Sequence, residues 1–156
     1  MGEVRWLDVR EEQAWRALQL MQMRLAGRLA RDIADTSDLS YPDYLVLVAL
    51  TDRPDGRMRL FELAAVLGWE KSRLSHHVAR MAERSLVTKE KCDLDRRGAY
   101  VVVAKQGLEA IKAAAPCHVE TVRRLFVDRL TPRQLDTIRA AAETVLAGLV
   151  EEEPPA

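Results

Sequence analysis

The chain has 156 residues, about one domain's length and too short for two large ones. Its hydrophobic fraction of 48% and charged fraction of 31% match soluble globular proteins. No apolar run approaches the roughly 18 residues of a membrane helix and no signal-peptide core precedes the first charges, which favours a cytoplasmic protein over a membrane or secreted one. Lys and Arg number 24 and Asp and Glu 24, and a net charge of zero, taken alone, speaks against a nucleic-acid partner. Cys92 and Cys117 stand apart without C-x-x-C spacing, and neither they nor His76, His77 and His118 offer a disulfide framework or metal-ligand spacing. No metal and no cofactor is expected.

In chain order, Asp8 and Glu11 form a capping-box pattern ahead of Trp15, Leu18, Met21, Leu25, Leu29 and Ile33, which predicts a long helix over 9–35. Ser40, Pro42 and Asp43 signal a second start, and a short apolar helix from Tyr44 to Leu50 should stop before the turn cluster Pro54-Asp55-Gly56. Met58 to Leu60 suits a short strand. Phe61 to Leu67 reads as a helix ended by Gly68, and Glu70 to Arg84 as the next. Leu86 to Cys92 and Ala99 to Val103 bracket the charged tract 93–98, predicting a β-hairpin whose tip carries Arg96 and Arg97. From Lys105 an amphipathic helix runs to Phe126, interrupted by a kink at Pro116. Thr131-Pro132-Arg133-Gln134 restarts a last helix through Leu135, Ile138, Val145 and Leu149, and 151–156 reads as a flexible acidic tail.

Resolved by segment, the zero charge is a cancellation. Residues 57–107 hold eleven Lys or Arg against six Asp or Glu, net +5, and the remainder is net −5. Such asymmetry suits one part built to meet a polyanion. Helix, tight turn, helix and hairpin is the order of a winged helix-turn-helix, in which the helix from Glu70 is the recognition helix. On a wheel of about 100° per residue, Leu74, Val78, Met81 and Ala82 share one face. Opposite them lie Ser72, Arg73, His76 and Arg80, groups able to donate to phosphates and base-edge acceptors. A solvated helix face is the plain alternative, and the flanking short helix and basic hairpin weigh against it. Ser75 and His77 join the candidates for DNA contact. On the hairpin, Arg96 and Arg97 can reach a minor groove with Asp95 orienting one of them. Lys89 and Lys91 alternate with Glu90, so both lysines share a strand face, where they either contact phosphate or solubilise an edge.

Leu63-Ala64-Ala65-Val66-Leu67-Gly68, Ser72-Arg73-Leu74-Ser75-His76-His77-Val78 with Arg80-Met81 and Leu86-Val87, and Asp95-Arg96-Arg97-Gly98 together resemble the MarR family of bacterial transcriptional regulators. The resemblance covers most of the chain. It implies a mainly α fold with a small β-hairpin wing (α+β), a winged helix-turn-helix lobe over 40–104, and dimerisation helices over 9–35 and 105–149. It further implies a homodimer on double-stranded DNA at a pseudo-palindromic operator, usually a repressor, released by a small aromatic or amphipathic effector. Within the family's wing motif Arg97 becomes the minor-groove residue and Asp95 its partner. Two departures stand out. The Leu-Thr that commonly opens the helix after the wing is Val103-Ala104 here, which removes a hydroxyl cap worth ~1 kcal/mol. Oxidant-sensing members carry a cysteine near the start of the first helix; this chain has none there, and no cation-rich setting surrounds Cys92 or Cys117 apart from Lys91.

Trp15, Leu18, Tyr44 and His118 are candidates for lining an effector pocket, although apolar stripes of this kind are commonly core. No Gly-rich phosphate loop, nucleophile elbow or metal spacing supports an enzyme. A winged-helix module that docks protein instead of DNA is the competing reading. It would call for exposed apolar anchors on the hairpin, where the tip offers only Leu94.

Overall fold

The computed structural model describes residues 4–92 and 95–152, with side chains for residues 4–91 and 99–149. Its elements are α1 (Val9–Thr36), α2 (Tyr41–Thr51), β1 (Arg57–Arg59), α3 (Leu60–Leu67), α4 (Lys71–Glu83), β2 (Val87–Cys92), β3 (Asp95–Val103), α5 (Lys105–Leu125), a 3-10 turn (Val127–Arg129) and α6 (Pro132–Glu152). Two compact units result, Met1–His118 and Val119–Ala156. Among the described residues no helix is long and apolar enough to cross a membrane.

Local chemistry sets the helix starts. Asp8 accepts from the Glu11 N–H at 2.8 Å while Glu11 accepts from the Asp8 N–H at 2.9 Å. Ser40 and Asp43 repeat the exchange at α2 (3.2 and 2.9 Å), and Thr131 and Gln134 at α6 (2.9 and 3.3 Å). Each box satisfies donors that a helix terminus otherwise leaves orphaned.

The core of the first unit is organised around α2. Val46, Leu47 and Leu50 are fully buried, and each contributes about 1.5–3 kcal/mol over an exposed position. Ile33 of α1, Leu63 of α3, Leu74, Val78 and Met81 of α4, Val87 and Val101 of the sheet, and Ile111 of α5 close around them. The sheet is antiparallel in the order β1-β3-β2, with Met58 opposite Val101 and Val87 opposite Val103. At α5, the Ala104 N–H donates to the Leu86 carbonyl at 3.1 Å. Gly107 then packs so close that a Cβ there would lie 2.0 Å from the same oxygen.

Three expectations need correction. β3 begins at Asp95, so Arg96 and Arg97 lie on a strand and not in a loop, because antiparallel pairing continues to Cys92 opposite Asp95 past a register shift at Lys91. α5 runs unbroken through Pro116. The last helix takes in Glu151 and Glu152, which shortens the expected tail; the remaining tail residues, 153–156, lie outside the described residues.

Candidate nucleic-acid interface

α4 is delivered to the surface by two turns of the same type. After α3, the Trp69 N–H bonds Ala64 O at 2.9 Å and the Gly68 N–H bonds Ala65 O at 3.1 Å, with Gly68 left-handed at φ 62°. After α4, Leu86 and Ser85 make the same bonds to Met81 and Ala82, with Ser85 at φ 60°. Both are Schellman endings, which stop a helix and turn the chain within two residues.

Between these turns α4 shows two faces. Leu74, Val78 and Met81 are fully buried, whereas Ser72, Arg73, His76 and Arg80 are exposed and Ser75 is half-buried. The outer face therefore offers one hydroxyl, one imidazole and two guanidiniums on neighbouring turns. The Arg73 guanidinium stacks 4.6 Å over the Trp69 ring, a cation–π contact that keeps the planar donor fork upright.

His77 is not on that surface. Its ring is 9% exposed, edge-on to Trp69 at 5.6 Å, with Nε2 3.0 Å from Asp43 Oδ1 and Nδ1 3.2 Å from Arg80 Nη2. The Nε2–H direction misses the oxygen, so this contact is electrostatic and not an aligned hydrogen bond. Burial holds the imidazole below its ordinary pKa, aided by Arg80 and Arg73 and opposed by Asp43. His77 thus leaves the set of direct contact candidates because the core claims its ring.

Asp43 is almost wholly buried, at 2% exposure. Burial pushes its carboxyl up. The Ser40 backbone N–H, the Arg84 guanidinium at 2.7 Å and the Ser40 hydroxyl outweigh that, leaving it below the ordinary carboxylate value and ionised. Arg84 also donates to the Asp38 carbonyl. A carboxylate at the start of α2 thereby fastens both the middle and the end of α4. The Ser-x-x-Asp capping signal was visible in the sequence; the approach of Arg84 to the capping oxygen and of His77 to the other was not.

On the hairpin, Lys89 and Lys91 are exposed. Strand alternation puts them on the same sheet face as Val87, beyond the edge of the core. The other face carries a row that charge counting did not single out. Arg59 pairs with Tyr100 across β1 and β3, Glu90 pairs with Tyr100 across β2 and β3, and the Arg57 guanidinium lies 4.5 Å over the Tyr100 ring. Arg59 Nε donates to the Tyr100 hydroxyl at 3.4 Å. The side chains of Cys92, Asp95, Arg96 and Arg97 lie outside the described residues.

Tyr44 and His118, two of the pocket candidates, do meet, with ring centroids 4.5 Å apart and Tyr41 at 6.4 Å from His118. Trp15 and Leu18 do not join them. Both are exposed on the first half of α1, and Trp15 is about 25 Å along the helix from Asp32, the α1 residue that acts on His118. Cys117 is free and exposed. A separate cleft of about 500 Å³ opens between the end of α1, Arg84, Leu86 and the α5 residues Gln106, Ala110 and Ala113.

AbsC, a MarR family transcriptional regulator from Streptomyces coelicolor, is 37% identical, and the match spans 96% of this chain and all of AbsC with a TM-score of 0.86. The chain belongs to the MarR family. The family's sequence profile matches residues 37–98. A second MarR regulator from Streptomyces coelicolor, solved in complex with DNA, is 34% identical over 98% of this chain and 96% of its own, with a TM-score of 0.89. The transcriptional regulator HosA of Escherichia coli is 28% identical over 76% of this chain and 86% of its own length. These MarR proteins are transcriptional regulators and not enzymes, and the winged-helix fold expected from the sequence is the one observed.

Proposed function

We propose that this MarR protein is a homodimeric, sequence-specific DNA-binding regulator, a repressor acting on a pseudo-palindromic operator. The outer face of α4 carries this reading: Ser72, Arg73, His76 and Arg80 project together from a helix whose opposite face is fully buried. Such a helix fits a major groove with its donors toward base edges. Ser75 lies at the margin of that face, Lys89 serves phosphate, and Asp95, Arg96 and Arg97 serve the minor groove. The DNA complex of the 34% identical relative supports the choice of partner.

Residues 40–104 form the DNA-binding lobe in this reading, and 9–35 and 105–149 the dimerisation helices. Exposed apolar side chains favour the dimer: Trp6, Trp15 and Met23 in or before α1 are 84%, 52% and 66% exposed, and Val145, Leu146 and Leu149 of α6 are 62%, 60% and 55% exposed. A second copy is the economical cover for such stripes. Two lobes of +5 then face DNA about 34 Å apart, one helical turn, and the acidic remainder disfavours approach from the other side. Release by a small aromatic or amphipathic effector fits the cleft beside Arg84 or the Tyr44–His118 pair; an effector acts only by binding the DNA-incompetent form more tightly.

The test is selection of bound duplexes from a random pool, followed by salt titration. Enrichment of a palindrome is expected, with Arg73→Ala and Arg80→Ala each lowering discrimination between selected and random duplexes by about tenfold. A pool without an enriched palindrome overturns the reading and favours a protein-docking winged helix.

A further inference from the structure

We infer that His77, packed in the lobe beside the buried Asp43 carboxylate, is the positioning residue for Arg80, and that the recognition face is therefore aligned from its buried side. This rests on the DNA-binding reading of α4 and extends it to a residue that does not touch DNA.

A guanidinium has only donors, so the contact of Arg80 Nη2 with His77 Nδ1 at 3.2 Å requires Nδ1 to accept. The ring is then the neutral tautomer with its proton on Nε2, on the side of Asp43 Oδ1 at 3.0 Å. Asp43 is itself immobilised: it is buried, and its other oxygen accepts from the Ser40 N–H and from Arg84. The order Asp43, His77, Arg80 thus runs from a fixed carboxylate in α2 to an exposed guanidinium on α4. His77 and Arg80 stand at i and i+3, adjacent on the helix surface.

The same interior group serves the other arginine. Trp69 touches His77 edge-on at 5.6 Å and carries Arg73 on its face at 4.6 Å. Each outer arginine leans on one of two rings that pack against each other. Free arginine side chains carry about 2 kcal/mol of rotamer entropy, and a pre-set fork loses less of it on meeting a base pair.

Protonating His77 removes the acceptor. The charged and titratable groups around the ring are Asp43 from α2 and Arg73 and Arg80 from α4, with Arg84 bonded to Asp43. An imidazolium facing two arginines repels Arg80 and keeps only Asp43 as partner. Acidification should therefore loosen Arg80 without altering the number of phosphate contacts.

The experiment uses duplexes recovered from the random pool together with their single-base variants, titrated against the full-length protein. His77→Phe keeps a ring and loses the acceptor, and discrimination among single-base variants is expected to fall about tenfold, at an unchanged salt slope. His77→Asn places a carbonyl oxygen near the Nδ1 position and is expected to stay within about threefold of the parent. Combining His77→Phe with Arg80→Ala should cost no more than Arg80→Ala alone. As pH falls below 6.5, discrimination should drop further for the parent protein than for His77→Asn, which retains only the exposed His76 on α4. Should His77→Phe fail to fold, the comparison of parent and His77→Asn across pH decides the matter. Multiplicative losses in the double variant, or equal pH profiles for parent and His77→Asn, overturn the positioning role. Failure to recover any duplex refutes the DNA-binding reading itself, and recovery with no dependence on His77 refutes only this inference.

Discussion

Helices α2 and α6 both carry apolar residues at helical spacing, yet they end in opposite situations. In α2, Val46, Leu47 and Leu50 are fully buried by the chain's own elements. In α6, Val145, Leu146 and Leu149 remain more than half exposed. Periodicity states that a face will be covered; it does not state by what. The winged lobe closes its core within one chain, so its stability belongs to the fold. The stripe on α6 has no such cover among the described residues, and under the proposed dimer its stability would come from association.

That contrast can be broken most forcefully at Leu146. Leu146→Glu leaves the glutamate solvated in the isolated chain, and there a surface substitution shifts stability by no more than about 0.5 kcal/mol. In a two-fold dimer it places two unpaired charges in an apolar interface. At about 2 kcal/mol each, dimerisation should weaken by on the order of a thousandfold, as sedimentation at micromolar concentration will register. An unchanged dimer would remove α6 from the interface.

The second largest effect belongs to the seam between α5 and the lobe. Alanine is ordinarily favoured over glycine inside a helix by about 1 kcal/mol, so Gly107→Ala would stabilise α5 if only propensity mattered. Here the added Cβ meets the Leu86 carbonyl oxygen at 2.0 Å and Leu47 Cδ2 at 3.0 Å. Backbone must move, and the Ala104 to Leu86 hydrogen bond moves with it. A net loss of about 2–3 kcal/mol is expected, read as a fall in Tm at fixed protein concentration. A rise in Tm would mean the close approach yields cheaply.

These two sites also mark where sequence reasoning ends. Leu74, Val78 and Met81 were legible as an inner face because 100° steps need no tertiary knowledge. The capping pairs Asp8–Glu11, Ser40–Asp43 and Thr131–Gln134 were legible because a cap is made within four residues. His77 shows the opposite case, a contact candidate from sequence whose side chain is buried. The wheel puts it at about 300° from Leu74, next to Met81, so geometry already turned it inward, and the chemistry of imidazole drew it into the outer set. Its partner Asp43 is on another helix, and nothing local announces a pairing between them. Trp69 went unnoticed because its role depends on a stack with Arg73 that forms only once the turn at Gly68 has been made.

The buried histidines give a further, smaller handle on the lobe. Burial lowers the pKa of both His77 and His118, with Asp32 opposing it at His118. The unfolded chain therefore takes up protons near the ordinary value of 6.5 while the folded lobe resists. Their contribution to stability is present above that pH and is lost as pH falls below it. Asp43 behaves differently: its carboxyl is held below 3.8, so its contribution persists until pH falls through that lower range. Denaturant titrations should show stability falling from pH 7 to pH 5, and His118→Asn should reduce that fall. A flat profile would mean that both rings remain hydrated.

The smallest expected effect separates the two ends of the lobe's paired helices. Gly68 and Ser85 hold the same left-handed conformation, at φ 62° and 60°, in the same hydrogen-bonded turn. An L-residue there costs about 1–2 kcal/mol relative to glycine, and glycine returns roughly 0.4–1 kcal/mol of that through the entropy of the unfolded chain. Ser85→Gly should therefore stabilise the protein by up to about 1 kcal/mol, and Gly68→Ala should destabilise it by a similar amount. No atom lies within 4 Å of a Cβ built on Gly68, so the penalty there is conformational and not steric, in contrast to Gly107. Opposite shifts in denaturant midpoint at unchanged m would establish that the two turns are energetically equivalent. If Ser85→Gly leaves the midpoint unmoved, the strain at the end of α4 is offset by a contact of the serine side chain, and α4 is closed by a different interaction from the one that closes α3.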